Sequence, residues 1–557
     1  MFKKSLVSTA AVAASLGLVA CGGGGGDASG PITPPVVAVG DTVALTASGK
    51  LVSFNRAAPG TLVGTVAVTG VVSGETLVGL DVRPATNVLY ALGNQGNLYT
   101  LAPTTGAATQ VTKLVADATD TTEPFSALAG TSFGIDFNPV ADRLRVVSNT
   151  GQDLRINVET GATTTDGVIT PATAVVSGSG YTNSFAGTTS TRLFNLNLTT
   201  ATVDLQDPPN NGVQVTGPAL GVTATAADFD IDATNNIGYA SLTVGSVSSL
   251  YRVNLQTGAA APAATVVGAI AGGEAIRSIA LLQTASTTVT ALTTTNGLFT
   301  FSPRTPNTVS PTVAIAPLAA GETILGIDVR PQDGQLWALS SLGRLYTLNA
   351  TTGAATFKAT ISATLDGSPT ASVDFNPTAN RLRVLTSAGQ SLRIAVVDVP
   401  ATGTTAAVAA GTTVVDGSIN RADGSASTVF AAAYSNNFAA VAGFTPATVL
   451  FDLDGTADVL ARQDPPNAGT LVTVGPLGVD ITGLAGSDIA GGENGLALGA
   501  VRAGTSGPFL LRSINLATGA VAPYNFTSTG AVTTTALSQI GGAAGAELRD
   551  IAISLVK

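Results

Sequence analysis

Short apolar runs, each closed by proline, asparagine or glycine, recur along the chain; Leu77 to Val82, Phe133 to Phe137, Phe229 to Ile231 and Ile276 to Leu281 are examples. Runs this short with turn residues at both ends predict buried strands rather than helices. Between them lie alternating pairs such as Val88 to Leu92 with Asn97 to Leu101, which read as hairpins. Thr-Gly returns at Thr105-Gly106, Thr160-Gly161, Thr257-Gly258, Thr352-Gly353 and Thr518-Gly519, where a strand pair has to turn and glycine supplies a positive φ. Long amphipathic stretches are not apparent. Abundant Thr, Val and Gly with little Glu and Lys point to an all-β chain.

The pattern is written twice. Leu80-Asp81-Val82-Arg83-Pro84 returns 247 residues later as Ile327-Asp328-Val329-Arg330-Pro331, and Leu98-Tyr99-Thr100-Leu101 returns as Leu345-Tyr346-Thr347-Leu348 at the same offset. Asp136-Phe137-Asn138-Pro139 with Arg143-Leu144-Arg145-Val146 matches Asp374-Phe375-Asn376-Pro377 with Arg381-Leu382-Arg383-Val384. Gln206-Asp207-Pro208-Pro209-Asn210 matches Gln463-Asp464-Pro465-Pro466-Asn467. Within each half a shorter period of about fifty residues, with about four short strands per period, is a propeller-blade signature. The first half opens on only a hairpin's worth of strand, Val43 to Leu45 with Lys50 to Phe54, and ends on an isolated strand, Ile276 to Leu281. Joined, these make one blade and close a ring of about five. The second half repeats the plan, with Val289 to Phe301 closed by Leu548 to Leu555. The expectation is two tandem β-propellers, residues 41–284 and 285–557; the alternative is one ten-bladed ring, in which Ile276 to Leu281 pairs with the hairpin that follows it.

The strings around Asp136-Phe137-Asn138-Pro139, Arg143-Leu144-Arg145-Val146, Gly151-Gln152-Asp153-Leu154-Arg155 and Gln206-Asp207-Pro208-Pro209-Asn210 resemble a bacterial family known as domain of unknown function 4394. The likeness extends over nearly all of both halves. It implies secretion and a propeller-like fold, and brings no activity, cofactor or catalytic residue with it. The second copy departs from the first at Ser372-Val373 and through a longer insertion around Val397 to Ser427.

The N-terminus has its own grammar. A basic start, Met1 to Lys4, precedes a run from Ser5 to Gly17 too short to span a bilayer, and Leu18-Val19-Ala20-Cys21 then reads as a lipobox. Residues 1–20 are therefore expected to be a lipoprotein signal peptide, with Cys21 carrying the lipid. Residues 21–40, with Gly22 to Gly26 and then Pro31, Pro34 and Pro35, form the expected tether. Gly22 is not the aspartate that retains such proteins at the inner membrane, so an outer-membrane anchor is expected. Removal of Lys3 and Lys4 with the leader leaves 23 basic against 35 acidic residues, a net charge of −12 that disfavours nucleic acid as a partner. Cys21 is the single cysteine, so no disulfide can form within the chain. The absence of histidine removes the usual general base and the commonest zinc ligand.

Three polar groupings remain. Alternation places Asp136, Arg145 and Arg155 on one sheet face, with Asp374, Arg383 and Arg393 as their counterparts; the set reads either as a buried network locking a blade or as an anion or sugar-acid subsite. Asp81, Asp136, Asp230, Asp232, Asp328 and Asp374 could line a channel and hold a hard cation such as Ca2+, or could serve turns like those at Asn138-Pro139 and Asn376-Pro377. The loops carrying Asp207, Asn210, Asp464 and Asn467 are stiffened connections that a protein or carbohydrate partner could contact. No catalytic residue and no cofactor is assigned. Two functional classes follow: a non-catalytic binding or scaffold module displayed from the envelope, or a propeller hydrolase or lactonase-like enzyme using carboxylate-held Ca2+.

Overall fold

The computed structural model describes residues 36–255, 262–282, 286–403, 406–441, 444–481, 486–492, 495–502, 507–524, 538–541 and 547–556. The signal peptide, Cys21, nearly all of the tether and the Thr257-Gly258 turn lie outside them. Among the described residues the strands form ten sheets, eight of four strands and two of five. Two 3-10 turns, Pro209–Asn211 and Pro466–Ala468, stand among these strands.

Each sheet is a blade whose innermost strand is one of the apolar runs. In the first half these are Leu77–Arg83, Phe133–Asn138, Val176–Tyr181, Ala226–Ile231 and Ile276–Leu281. Each packs against the next, and the last returns to the first, so the blades close a five-membered ring. Ile324–Val329, Ala371–Asn376, Val429–Tyr434, Gly486–Ala490 and Leu548–Val556 close a second ring in the same way.

Closure is made by strand exchange between chain ends. Ile276–Leu281 pairs antiparallel with Thr42–Thr46, with Ile279 opposite Ala44. Leu548–Val556 pairs with Ser286–Thr293, with Ala552 opposite Thr290. The hairpin that a ten-bladed ring would offer to Ile276–Leu281 is thus taken by the C-terminal strand. The protein is two tandem five-bladed propellers, and closure turns the inner edge of each blade toward the ring centre, where it is short and shielded by its neighbours.

Between blades the faces are apolar. Phe137 lies edge-on to Tyr90 at 5.4 Å, and the second ring repeats the contact with Phe375 and Trp337 at 6.3 Å. Each such aromatic, fully buried, contributes about 2–3 kcal/mol. A five-membered ring brings inner strands so close that some positions tolerate no side chain: a Cβ on Gly178 would stand 2.9 Å from the Asp228 backbone. The Thr-Gly turns serve a second purpose besides positive φ. A Cβ on Gly106 would meet the Ala67 carbonyl at 2.1 Å, and one on Gly161, Gly353 or Gly519 would meet the carbonyl of Lys113, Ala314 or Gly475 at 2.0, 2.1 or 2.4 Å, so these four turns hook onto the outer strand of the preceding blade.

The rings touch one another. Phe185 and Ala233 of the first ring belong to an apolar cluster built otherwise from the second, and the Tyr524 hydroxyl donates to the Gly187 carbonyl at 2.6 Å. Fragments 40–284 and 285–557, each holding its own closing strand, are expected to unfold cooperatively as β-rich units, at a lower midpoint than the intact chain because Phe185 is uncovered. Circular dichroism during denaturant unfolding checks this; aggregation of both fragments beside a stable intact chain would count against independent rings.

Candidate functional site

The aspartates of the inner strands meet at the centre of each ring. Asp81, Asp136 and Asp230 each bring a carboxylate oxygen within 4.8 Å of the others, and Asp328, Asp374 and Asp488 do the same in the second ring. Asp81 and Asp230 stand on strands separated by the closing blade, so they meet across the channel rather than along a blade. All six are buried. Asp232, one of the six expected channel residues, goes elsewhere: it pairs with the buried Arg56 guanidinium at 2.7 Å and caps the Thr234 turn. Asp488 is absent from the expected set, because Ser487 stands before it where Phe229 stands before Asp230, and Gly486 where Asp228 stands, so the Ala-Asp-Phe-Asp-Ile pattern is no longer legible.

Each carboxylate clamps the next blade. Asp81 Oδ2 accepts from Phe137 N–H at 2.7 Å, Asp136 Oδ1 from Tyr181 N–H at 3.2 Å and Asp230 Oδ2 from Leu281 N–H at 2.6 Å. In the second ring Phe375, Tyr434 and Ile553 N–H groups bind Asp328, Asp374 and Asp488. The side-chain turns expected at Asn138-Pro139 and Asn376-Pro377 are also present: Asn138 Oδ1 accepts from the Val140 and Ala141 amides, and Asn376 Oδ1 from the Ala379 amide. Burial, and then the Asp230 charge, hold Asp81 well above the usual carboxylate range; burial and Asp81 do the same to Asp136. Burial pushes Asp230 up to about 7 and Asp488 to about 6. Two carboxylates 4.8 Å apart repel by about 3 kcal/mol at an effective dielectric of 20. Three cannot ionise together unless a proton or a cation shares the site.

The arginine set folds differently from expectation. Arg145 stands opposite both Asp136 and Arg155 in strand register, yet Asp136 turns to Tyr181 and the ring centre, and it is Asp153 and Asp166 that meet Arg145, at 2.7 and 2.6 Å. Arg145 Nε donates to the Tyr181 hydroxyl and Nη2 to Asn210 Oδ1 at 2.7 Å. Arg155, a third exposed, chelates Asp166 through Nε and Nη2. Burial opposes the Arg145 charge, but Tyr181, Asp153 and Asp166 together raise its pKa above the ordinary value; burial outweighs Arg145 at Asp153, which is pushed up to about 6. In the second ring Arg383 binds Asp416, Ser391, Tyr434 and Asn467, and Arg393 chelates Asp416.

The Gln-Asp-Pro-Pro-Asn loops are part of this construction. Each ends in a 3-10 turn closed by a left-handed glycine, Gly212 or Gly469, which turns Asn210 or Asn467 back onto the arginine of the preceding blade. Gln206 Nε2 bridges Asp153 Oδ2 and the Pro209 carbonyl. Asp207 and Asp464 remain exposed, Asp464 beside Arg462 at 3.2 Å.

The two copies exchange carboxylates between neighbouring strands. In the first, Ser278 Oγ accepts from Leu80 N–H and Asp228 Oδ2 from Ile279 N–H. In the second, Asp550 stands in the place of Ser278 and accepts both equivalent amides, Ile327 and Ile551. Gly486 replaces Asp228, and a Cβ there would lie 2.2 Å from Asp550 Oδ1. A second exchange replaces Asp153 and Asn195 by Ser391 and Asp452.

The family model described as a domain of unknown function (DUF4394) matches residues 50–280 and again 297–538. A comparison with curated proteins found no match. Among solved structures, the chain is similar to a Dos1 propeller at 13% identity and TM-score 0.25, covering 63% of this chain and 90% of that one. It is also similar to the Cps50 (Swd1) β-propeller domain of Myceliophteria thermophila, at 11% identity and TM-score 0.21, covering 71% and 96%. A nidogen/laminin complex matches at 10% identity and TM-score 0.22, covering 55% and 88%.

Proposed function

Since the chain belongs to the DUF4394 family, twice over and with no activity attached to that family, we propose that it is a non-catalytic scaffold, two rigid propellers displayed from the bacterial envelope on a lipid at Cys21. The observation that carries this reading is the use made of its charged groups. The aspartates best placed for chemistry are buried and clamp the next blade, and each donor-bearing nitrogen of Arg145 is engaged by a protein partner. Such groups hold a shape and are closed to a substrate. What they leave for recognition is the exposed surface, including the loops at Asp207 and Asp464, where a protein or carbohydrate partner would be met.

Two measurements test the reading. Cys21→Ala should move the protein from the membrane fraction to the soluble one, because the lipid supplies the strong membrane affinity; retention of the variant on membranes after a salt wash would refute the anchor. The purified mature chain should turn over neither esters nor lactones, with or without added Ca2+. Calcium-dependent turnover would replace the scaffold by a hydrolase.

A further inference from the structure

We infer that the centre of the first propeller, between Asp81, Asp136 and Asp230, is a binding site for one hard divalent cation. Three carboxylates from three blades offer oxygens within 4.8 Å of one another, a spread that oxygen ligands around a single ion at 2.0–2.6 Å can span. Clustering alone would not establish a site, since each aspartate also clamps an amide. The decisive atom is Asp136 Oδ2. Its residue is 1% exposed, Oδ1 is taken by Tyr181 N–H, and Oδ2 has no hydrogen-bond partner. A buried carboxylate oxygen left bare is costly and rare, and a counter-charge supplies what is missing. A cavity of about 10 Å³ adjoins the other two carboxylates of the triad, Asp81 and Asp230, and is otherwise lined by Val82, Pro84, Asn87, Ser184 and Leu281. That is room for a single water or an ion's one remaining ligand. With only oxygen donors in the triad, the chemistry favours Ca2+ or Mg2+ over zinc or copper. An ion so placed would pin three of the five inner strands to one point, a structural role that stands whether or not the scaffold reading does.

The test uses the full mature chain, stripped with a chelator and then titrated separately with Ca2+ and Mg2+ by calorimetry, with thermal unfolding followed in parallel. Saturable uptake of one of the two, with a rise of several degrees in the unfolding midpoint, is expected. Asp136→Asn keeps the acceptor for Tyr181 N–H but removes the charge. It should reduce the uptake by one equivalent per chain, or weaken that equivalent by at least about a hundredfold, more than loss of an outer-shell partner does. Asp81→Asn, which keeps the acceptor for Phe137 N–H, should give the same result and stands in if the first variant does not fold. A wild-type chain that takes up neither cation at millimolar concentration, or variants that bind as well as wild type, would overturn the site and leave a shared proton as its counter-charge.

Discussion

Arg145→Met should cost the first propeller about 3–5 kcal/mol of unfolding free energy, the range found when one partner of a buried pair is removed. The substitution keeps an unbranched apolar side chain in the space. It strands Asp153, whose carboxylate is fully buried and would retain only the Gln206 amide. Asp166 is less affected, because Arg155 still chelates it. Asp153→Asn added to Arg145→Met should therefore recover part of the loss, whereas Asp136→Asn should not, since Asp136 serves a different clamp. The second ring supplies an internal control. There the place of Asp153 is taken by Ser391, and Asp416 keeps Arg393, so Arg383→Met should cost distinctly less. Denaturant unfolding of the four variants beside wild type decides the matter. A cost under about 1 kcal/mol for Arg145→Met, as for an exposed pair, would make this arginine a ligand-binding candidate again.

Asp452→Asn should stabilise the second propeller in mild alkali and do little in acid. Asp452 is fully buried, both its carboxylate oxygens lack hydrogen-bond partners, and so does the nearby Gln463 Oε1. Burial pushes Asp452 up to about 8; the Arg383 charge pulls it down and Asp454 pushes it up further, without reversing that balance. As pH rises from 4, the unfolded chain ionises this carboxyl while the folded chain holds it neutral, so stability falls until about pH 8 and then levels. Four pH units correspond to about 5 kcal/mol at most, and relaxation around the site would reduce the measured figure to about 1–3 kcal/mol. The equivalent Asn195 donates from Nδ2 to Gln206 Oε1 at 2.6 Å, and an asparagine at 452 can make the same bond to Gln463. The variant's advantage should grow between pH 4.5 and pH 8 and be nearly absent at the lower value. Parallel pH profiles for wild type and variant would show that Asp452 ionises normally in the fold.

These effects, with the cation proposed for the first ring, describe a protein whose charges are spent inward. Ten short-stranded blades must be held around two narrow centres, and the inner strands have little side-chain volume to do it with; Gly178 and Gly486 have none. Carboxylates reaching across to neighbouring amides fasten the strands where apolar contact is scarce. Their cost is repulsion among themselves, which protons or a cation must offset.

Much of the architecture is legible in the order of residues alone. Short strands of period two, turn residues between them and the 247-residue repeat state a local physics that depends on neighbours in the chain, and a hairpin without its fourth strand announces ring closure. Asn138 as a turn former and the four described Thr-Gly pairs as left-handed turns are likewise local, and so they can be read. What only the tertiary structure decided concerns partners far apart in the chain. Register puts Asp136 opposite Arg145, and alternation puts both on one face, so the sequence alone pairs them; yet the ring centre lies close enough to draw Asp136 away, and Asp166, 21 residues beyond Arg145, takes its place. Nor does any linear pattern show that Asp550 substitutes for Asp228. That exchange conserves a carboxylate beside the equivalent amide while moving it to another strand. Packing and electrostatics act on that point, and the order of residues along the chain does not record it.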